Sequence, residues 1–189
     1  MEGDVCYSAV GSLIQMFDAF PPKLINNLIK HKWKWVIVSS EMPMDESEYF
    51  GDGMEYSEAF CDFAQMELCF KEEHFFNDYS KESVVFHEMG HAIYHSLLTE
   101  EDTAYVNVLH NDGSEHLDKM VQTLGKDILC AGYLVDPEEY FAESTFLFLT
   151  TVKVKLPLWK DIHHSLSDIF RSEDPSMYHF IESIFSRYE

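Results

Sequence analysis

Hydrophobic and polar positions follow two rhythms along this chain, strand-like early and helical later. Trp33-Lys34-Trp35-Val36-Ile37-Val38 is dense in aromatic and β-branched residues and predicts a strand. Ala59 to Phe70 is strand-like but ambiguous, with Phe63, Met66, Leu68 and Phe70 as inward positions. Ahead of these, Ser12 to Ile29 is broken at Pro21-Pro22, which predicts a second helix from Lys23 to Lys30. Later, Ser83 to Leu98 sets Val84, Val85, Ile93, Leu97 and Leu98 around a polar centre, a helix with Asp78 or Ser80 as its cap. Glu115 to Ala131 repeats apolar residues at helical spacing: Leu117, Met120, Val121, Leu124, Ile128 and Leu129. Asp136-Pro137-Glu138-Glu139 starts another helix, running into Tyr140 to Thr151, and Met177 to Tyr188 predicts a terminal amphipathic one. Residues 41–58, with Pro43, Gly51 and Gly53, read as loop, and so does the polar stretch from Glu100 to Asp112. Pro157 and Pro175 mark further breaks. The sum is one α+β domain, with a small sheet in about residues 1–98 and helices in about 99–189.

Composition supports a single well-filled domain: 189 residues, 46% hydrophobic and 15% aromatic. No apolar run is long enough to span a bilayer, and Met1-Glu2-Gly3-Asp4 does not begin a secretory signal. Cys6, Cys61, Cys69 and Cys130 show no CxxC pairing, so reduced thiols in a cytosolic setting are expected rather than a disulfide framework. The net charge of -21 is unevenly spread. Between Lys34 and Lys71, and again between Lys81 and Lys119, acids occur with no Lys or Arg. Such faces solubilise the chain. Placed around a cleft they would also attract a basic peptide, and they exclude a phosphate backbone as partner.

The candidate chemistry lies in the helix over 83–98. His87-Glu88-Met89-Gly90-His91 has the HExxH form. Positions i and i+4 lie one turn apart on one face, so His87 and His91 can hold one zinc ion from one side. Glu88 then stands where it can take a proton from water at the metal. The surrounding helix is apolar, and histidines and a glutamate buried in it need a partner that a metal supplies.

Catalytic zinc takes three protein ligands and keeps one position open. His95 shares the face of His87 and His91, but two turns of helix put it about 12 Å from His87, too far for one ion. It is expected to support the site from outside. The longer motif would need Gly at 94 and His at 97, where Tyr94 and Leu97 stand. Glu139 and Glu143, at i and i+4 on an otherwise apolar helix, are better placed. As third residue after an Asp136 cap, Glu139 could instead close a capping box, but that leaves Glu143 unexplained among Phe141, Phe146, Leu147 and Phe148. Glu139 is the expected ligand, with Glu143 hydrogen-bonded to a ligating imidazole.

On these residues the chain resembles the zinc metallopeptidase domain of anthrax lethal factor and the related Pro-Pro endopeptidases. His87 to His91 matches their His-Glu-Phe-Gly-His helix, and Glu139-Tyr140-Phe141-Ala142-Glu143 matches a Glu-Phe-Phe-Ala-Glu segment at a similar distance. A Pro-started final helix with Phe-Ile, like Pro175 to Ile184, follows in both. The likeness runs from about Ser80 to the end of the chain. It implies a zincin-like fold and a zinc-dependent endopeptidase with His87, His91 and Glu139 on the metal and Glu88 as general base. It also implies a tyrosine hydroxyl at the oxyanion. Gly132 occupies the family's spacing, so the role passes to the adjacent Tyr133, with Tyr105 in reserve. A peptide is expected to lie along an edge strand above the active helix, with the acidic segment from Gly51 to Phe70 as rim. Further expectations are a monomer and a protein substrate, with a toxin or effector role inside a host cell to which a bacterium delivers it. The alternative is a catalytically silent zinc scaffold that binds protein.

Overall fold

The computed structural model describes residues 5–42, 49, 59–112, 114–124, 129, 131–155 and 163–189, with backbone alone for some at the edges of these stretches. Two helices, α1 (Tyr7–Met16) and α2 (Pro22–Lys30), lead into strand β1 (Lys34–Val38). Pro22 sits in the first turn of α2, where its missing N–H costs nothing.

The stretch from Ala59 to Phe70 is two strands rather than one: β2 (Ala59–Asp62) and β3 (Glu67–Lys71). The turn between them is held by the Gln65 N–H donating to Asp62 Oδ1 at 3.0 Å and by Met66 in the left-handed region at φ 55. The chain therefore reverses where a continuous alternation had been expected. Leu68 and Phe70 are fully buried as anticipated, but Phe63 and Met66 lie on the turn and are exposed. β3 is central, parallel to β1 and antiparallel to β2, so among the described residues β2 is an outer strand of this sheet.

Helix α3 (Asp78–Leu97) carries the HExxH motif across this sheet. Its first bonded carbonyl belongs to Asn77, which accepts from the Lys81 N–H at 2.9 Å. Asp78 and Ser80 are thus inside the helix, one and three residues past Asn77, and not at the capping position expected of them. Val85, Met89, Ala92 and Ile93 are fully buried along its core face. Trp35 Nε1 donates to Met89 Sδ and Trp33 Nε1 to Ser96 Oγ, tying β1 to the helix.

The stretch expected as loop after Leu98 is α4 (Glu100–Asp112). Its polar surface hid a strong start. Thr99 Oγ1 accepts from the Asp102 N–H, while Asp102 Oδ2 accepts from the Thr99 N–H and hydroxyl, a reciprocal cap. Arg187 adds two bonds to the same carboxylate, at 2.7 and 2.8 Å.

Helix α5 (Ser114–Leu124) ends sooner than the apolar spacing suggested; Leu129 is buried but lies outside it. Ile128, Cys130, Pro157 and most of the 41–58 stretch fall outside the described residues. Helix α6 (Pro137–Leu149) begins at Asp136, whose side chain accepts from the Glu138 N–H at 2.8 Å. It is buried without interruption from Tyr140 to Leu147, as a helix packed on all sides must be. A ribbon of β4 (Lys153–Lys155) and β5 (His163–Ser165) adds strands to a half expected to be helical. Helices α7 (Leu166–Glu173) and α8 (Pro175–Ser186) close the core. Phe141, Phe146 and Phe170 are fully enclosed there, each contributing about 1.5–3 kcal/mol. No helix among the described residues is long and apolar enough to cross a membrane.

Candidate metal centre

Helices α3 and α6 run antiparallel and in contact, pinned at three levels. At one end the buried Glu82 of α3 accepts from the Thr150 and Thr151 hydroxyls and the Thr151 N–H just beyond α6. In the middle Gly90 lies against the backbone of Ala142. Between and beyond these contacts the carboxylates of α6 meet the histidines of α3.

His87 Nδ1 donates to Glu143 Oε2 at 2.9 Å, and His91 Nδ1 donates to Glu138 Oε1 at 2.7 Å. In each neutral ring the Nδ1 proton is committed to a carboxylate, which leaves the lone pair on Nε2. The two Nε2 atoms are 3.2 Å apart, and the Glu139 carboxylate is 3.2 Å from the first and 3.6 Å from the second. Three acceptors so arranged repel one another unless something positive lies among them. Ligands about 2.0–2.1 Å from a tetrahedral zinc are themselves roughly 3.3 Å apart, so the triangle fits such an ion. Among the described residues, His87, His91 and Glu139 form a group whose potential ligand atoms all lie within 4.8 Å of one another.

Electrostatics agree. Burial opposes a charged His87, but hydrogen bonds to Glu139 and Glu143 outweigh it and push its pKa up to about 10. The pocket therefore favours a positive charge at that spot, whether a proton or a metal ion. Burial also raises the Glu88 carboxyl, with His87 and His91 pulling the other way. Glu88 Oε2 is enclosed and has no hydrogen-bond partner among the described residues. An enclosed carboxylate oxygen of this kind can accept a hydrogen bond or a proton.

Glu138 and His95 show a link the sequence reading did not anticipate. Glu138 Oε1, already accepting from His91, also accepts from His95 Nε2 at 2.9 Å. Burial alone would raise the Glu138 carboxyl, but these two imidazoles bring it below its ordinary value. The available signal was the second acid of Glu138-Glu139 together with a third histidine one turn past His91.

Tyr133 lies in a short 3-10 turn, Ala131–Leu134, that leads into α6. It is fully buried, its ring 5.3 Å from that of Tyr140. Tyr140 in turn donates to the buried Asp174 that caps α8. Tyr105 packs on Phe180 at 5.2 Å and is half exposed. Within the described residues the expected rim runs from Ala59 onward: strand β2 flanks α3, and Phe63 at its end packs on His95 with ring centroids 3.7 Å apart and planes tilted by 43°. A groove lined by Phe60, Asp62, Phe63 and Gln65 follows this strand. Cys6, Cys61 and Cys69 are free thiols.

No protein-family model matches the sequence, and no curated protein matches it either. Among solved structures the chain is similar to the Pro-Pro endopeptidase PPEP-2 from Paenibacillus alvei, with a TM-score of 0.60 over 98% of this chain and 95% of that one. Sequence identity is 15%, so what the likeness establishes is the fold: a mixed α+β architecture, mostly helical with a small sheet, shared with an endopeptidase.

Proposed function

We propose that this protein is a zinc-dependent endopeptidase acting on a protein or peptide substrate. One observation carries the reading: Nε2 of His87, Nε2 of His91 and the Glu139 carboxylate converge with mutual distances of 3.2 to 3.6 Å. An ion held by these three groups would polarise a peptide carbonyl and acidify water. The remaining chemistry belongs to the chain. Glu88, enclosed and with its pKa raised by burial, takes the proton of the attacking water and later delivers it to the departing amine. Glu143 and Glu138 fix the imidazole tautomers that leave Nε2 free. β2, the outer strand of the described sheet, is the one along which an extended peptide would lie beside α3. Asp62, at the end of that strand, and the acidic run that precedes it in sequence favour a basic partner.

Tyr133 is proposed as the oxyanion donor on the family resemblance, a role its hydroxyl would have to perform from an enclosed position. A toxin or effector role inside a host cell likewise rests on the resemblance. A Pro-Pro bond as the site of cleavage is proposed from the named neighbour.

The test combines metal analysis of the purified chain with a peptide library that includes Pro-Pro sequences. About one equivalent of zinc and internal cleavage that a chelator abolishes are expected. Bound zinc without cleavage of any peptide or protein would leave the silent scaffold, and no bound metal would end the proposal.

A further inference from the structure

Glu143, which orients His87, is almost wholly buried and has nowhere else to go. Glu138, which orients His91, is different: it sits in the first turn of α6 with its side chain about a quarter exposed. A glutamate there has open water as an alternative, and holding it in one rotamer costs side-chain entropy.

His95 removes that freedom by donating to the same Glu138 oxygen that His91 uses. His95 is in turn covered by Phe63, whose ring also lies edge-on to His91 at 6.4 Å and to Trp33 at 6.5 Å. Phe63 is presented by a fixed turn. Asp62 accepts from Gln65, and the Met66 carbonyl accepts from the Lys34 N–H at 2.9 Å. Contacts therefore run without a gap from the end of β2 to one proposed metal ligand.

We propose that Glu138 and His95 are positioning residues for His91, clamped by Phe63, so that the β2–β3 turn governs how firmly the metal is held. This rests on the metal site proposed above. The turn that borders the peptide groove thereby also sets the orientation of a ligand. A peptide that shifts Phe63 would alter the metal centre without touching it.

The experiment measures release of zinc to a chelator and the visible spectrum of the cobalt-substituted protein, which reports ligand geometry. Glu138→Gln should release zinc about 10–100-fold faster, the range for losing a partner of a ligating histidine, and should change the cobalt spectrum. His95→Leu and Phe63→Leu should shift both readouts the same way by smaller factors. Because His95 acts through Glu138, the double variant should release zinc no faster than Glu138→Gln alone. If Glu138→Gln does not fold, Glu138→Asp, too short to reach both histidines, serves in its place. Wild-type release in the Glu138 variant, or effects of Glu138 and His95 that multiply, would overturn the inference while leaving the metal site intact. A wild-type chain that takes up no metal removes the site and this inference together.

Discussion

Gly90 and Ala142 set the separation of the two helices that form the site: a Cβ built on Gly90 would lie 2.6 Å from Ala142 Cα and 3.0 Å from its carbonyl oxygen. Glycine inside a helix costs about 1 kcal/mol relative to alanine. Here that cost brings α3 and α6 into backbone contact, close enough for the carboxylates flanking Ala142 to reach the histidines flanking Gly90.

Gly90→Ala should therefore destabilise the protein despite its better helix propensity. Overpacking against rigid backbone costs about 1–3 kcal/mol, which should outweigh the propensity gain. Urea unfolding of the metal-free protein measures it, and an unchanged or raised midpoint would mean the helices can separate freely.

Glu88→Ala should lower kcat by at least about 10²–10⁴-fold, the contribution typical of a positioned acid–base group. Zinc content should stay near one equivalent, because Glu88 lies outside the triangle of donors. Retained turnover would remove Glu88 from the reaction.

Glu139 and Glu143 are separable by metal retention. Glu139→Gln should lose zinc more readily than Glu143→Ala, since the first offers an oxygen to the donor triangle and the second touches His87 on its far side. The reverse order in a chelator competition would exchange their roles.

Tyr133→Phe separates a chemical role from a packing one. As oxyanion donor, Tyr133 should cost about 10²–10³-fold in kcat when its hydroxyl is removed, with KM and zinc content little changed. Full activity in a folded variant would leave its ring to the core alone.

Acid should loosen α4 from α8 only as pH falls below about 4. The Arg187 hydrogen bonds hold Asp102 at a pKa of about 2, below its ordinary 3.8. A depressed carboxylate stabilises the fold above its unfolded pKa, and that stability is lost as pH falls from about 4 through 2. Allowing for the half-open Arg187, the amount is about 1–2 kcal/mol. Asp102→Asn should flatten this part of the curve of unfolding free energy against pH. An unaltered slope would show that the pair contributes nothing.

Misread segments share a cause. Thr99 and Asp102 have the spacing of a capping pair, which the loop reading passed over because α4 lacks a clear apolar stripe; its buried residues are settled by what packs on them: Val106 in the core and Asp102 under Arg187. Phe63 and Met66 looked like core because alternation was continued through a turn. The signal for that turn, Asp62 accepting from Gln65 with Met66 left-handed, is weak in sequence because no glycine marks it.

Relations spanning a few residues could be derived from the chain by itself. Helix periodicity fixes the shared face of His87 and His91, as it does that of Glu139 and Glu143, and the Asp136-Pro137 start sets where α6 begins. Tertiary structure alone decided that Glu138 bridges His91 and His95, that β2 is an outer strand of the described sheet, and that Tyr133 is enclosed beside Tyr140. Those facts depend on the antiparallel approach of α3 and α6 and on the β2–β3 turn. The first two involve contacts between residues dozens of positions apart, and the burial of Tyr133 depends on what packs over it; no local repeat encodes either.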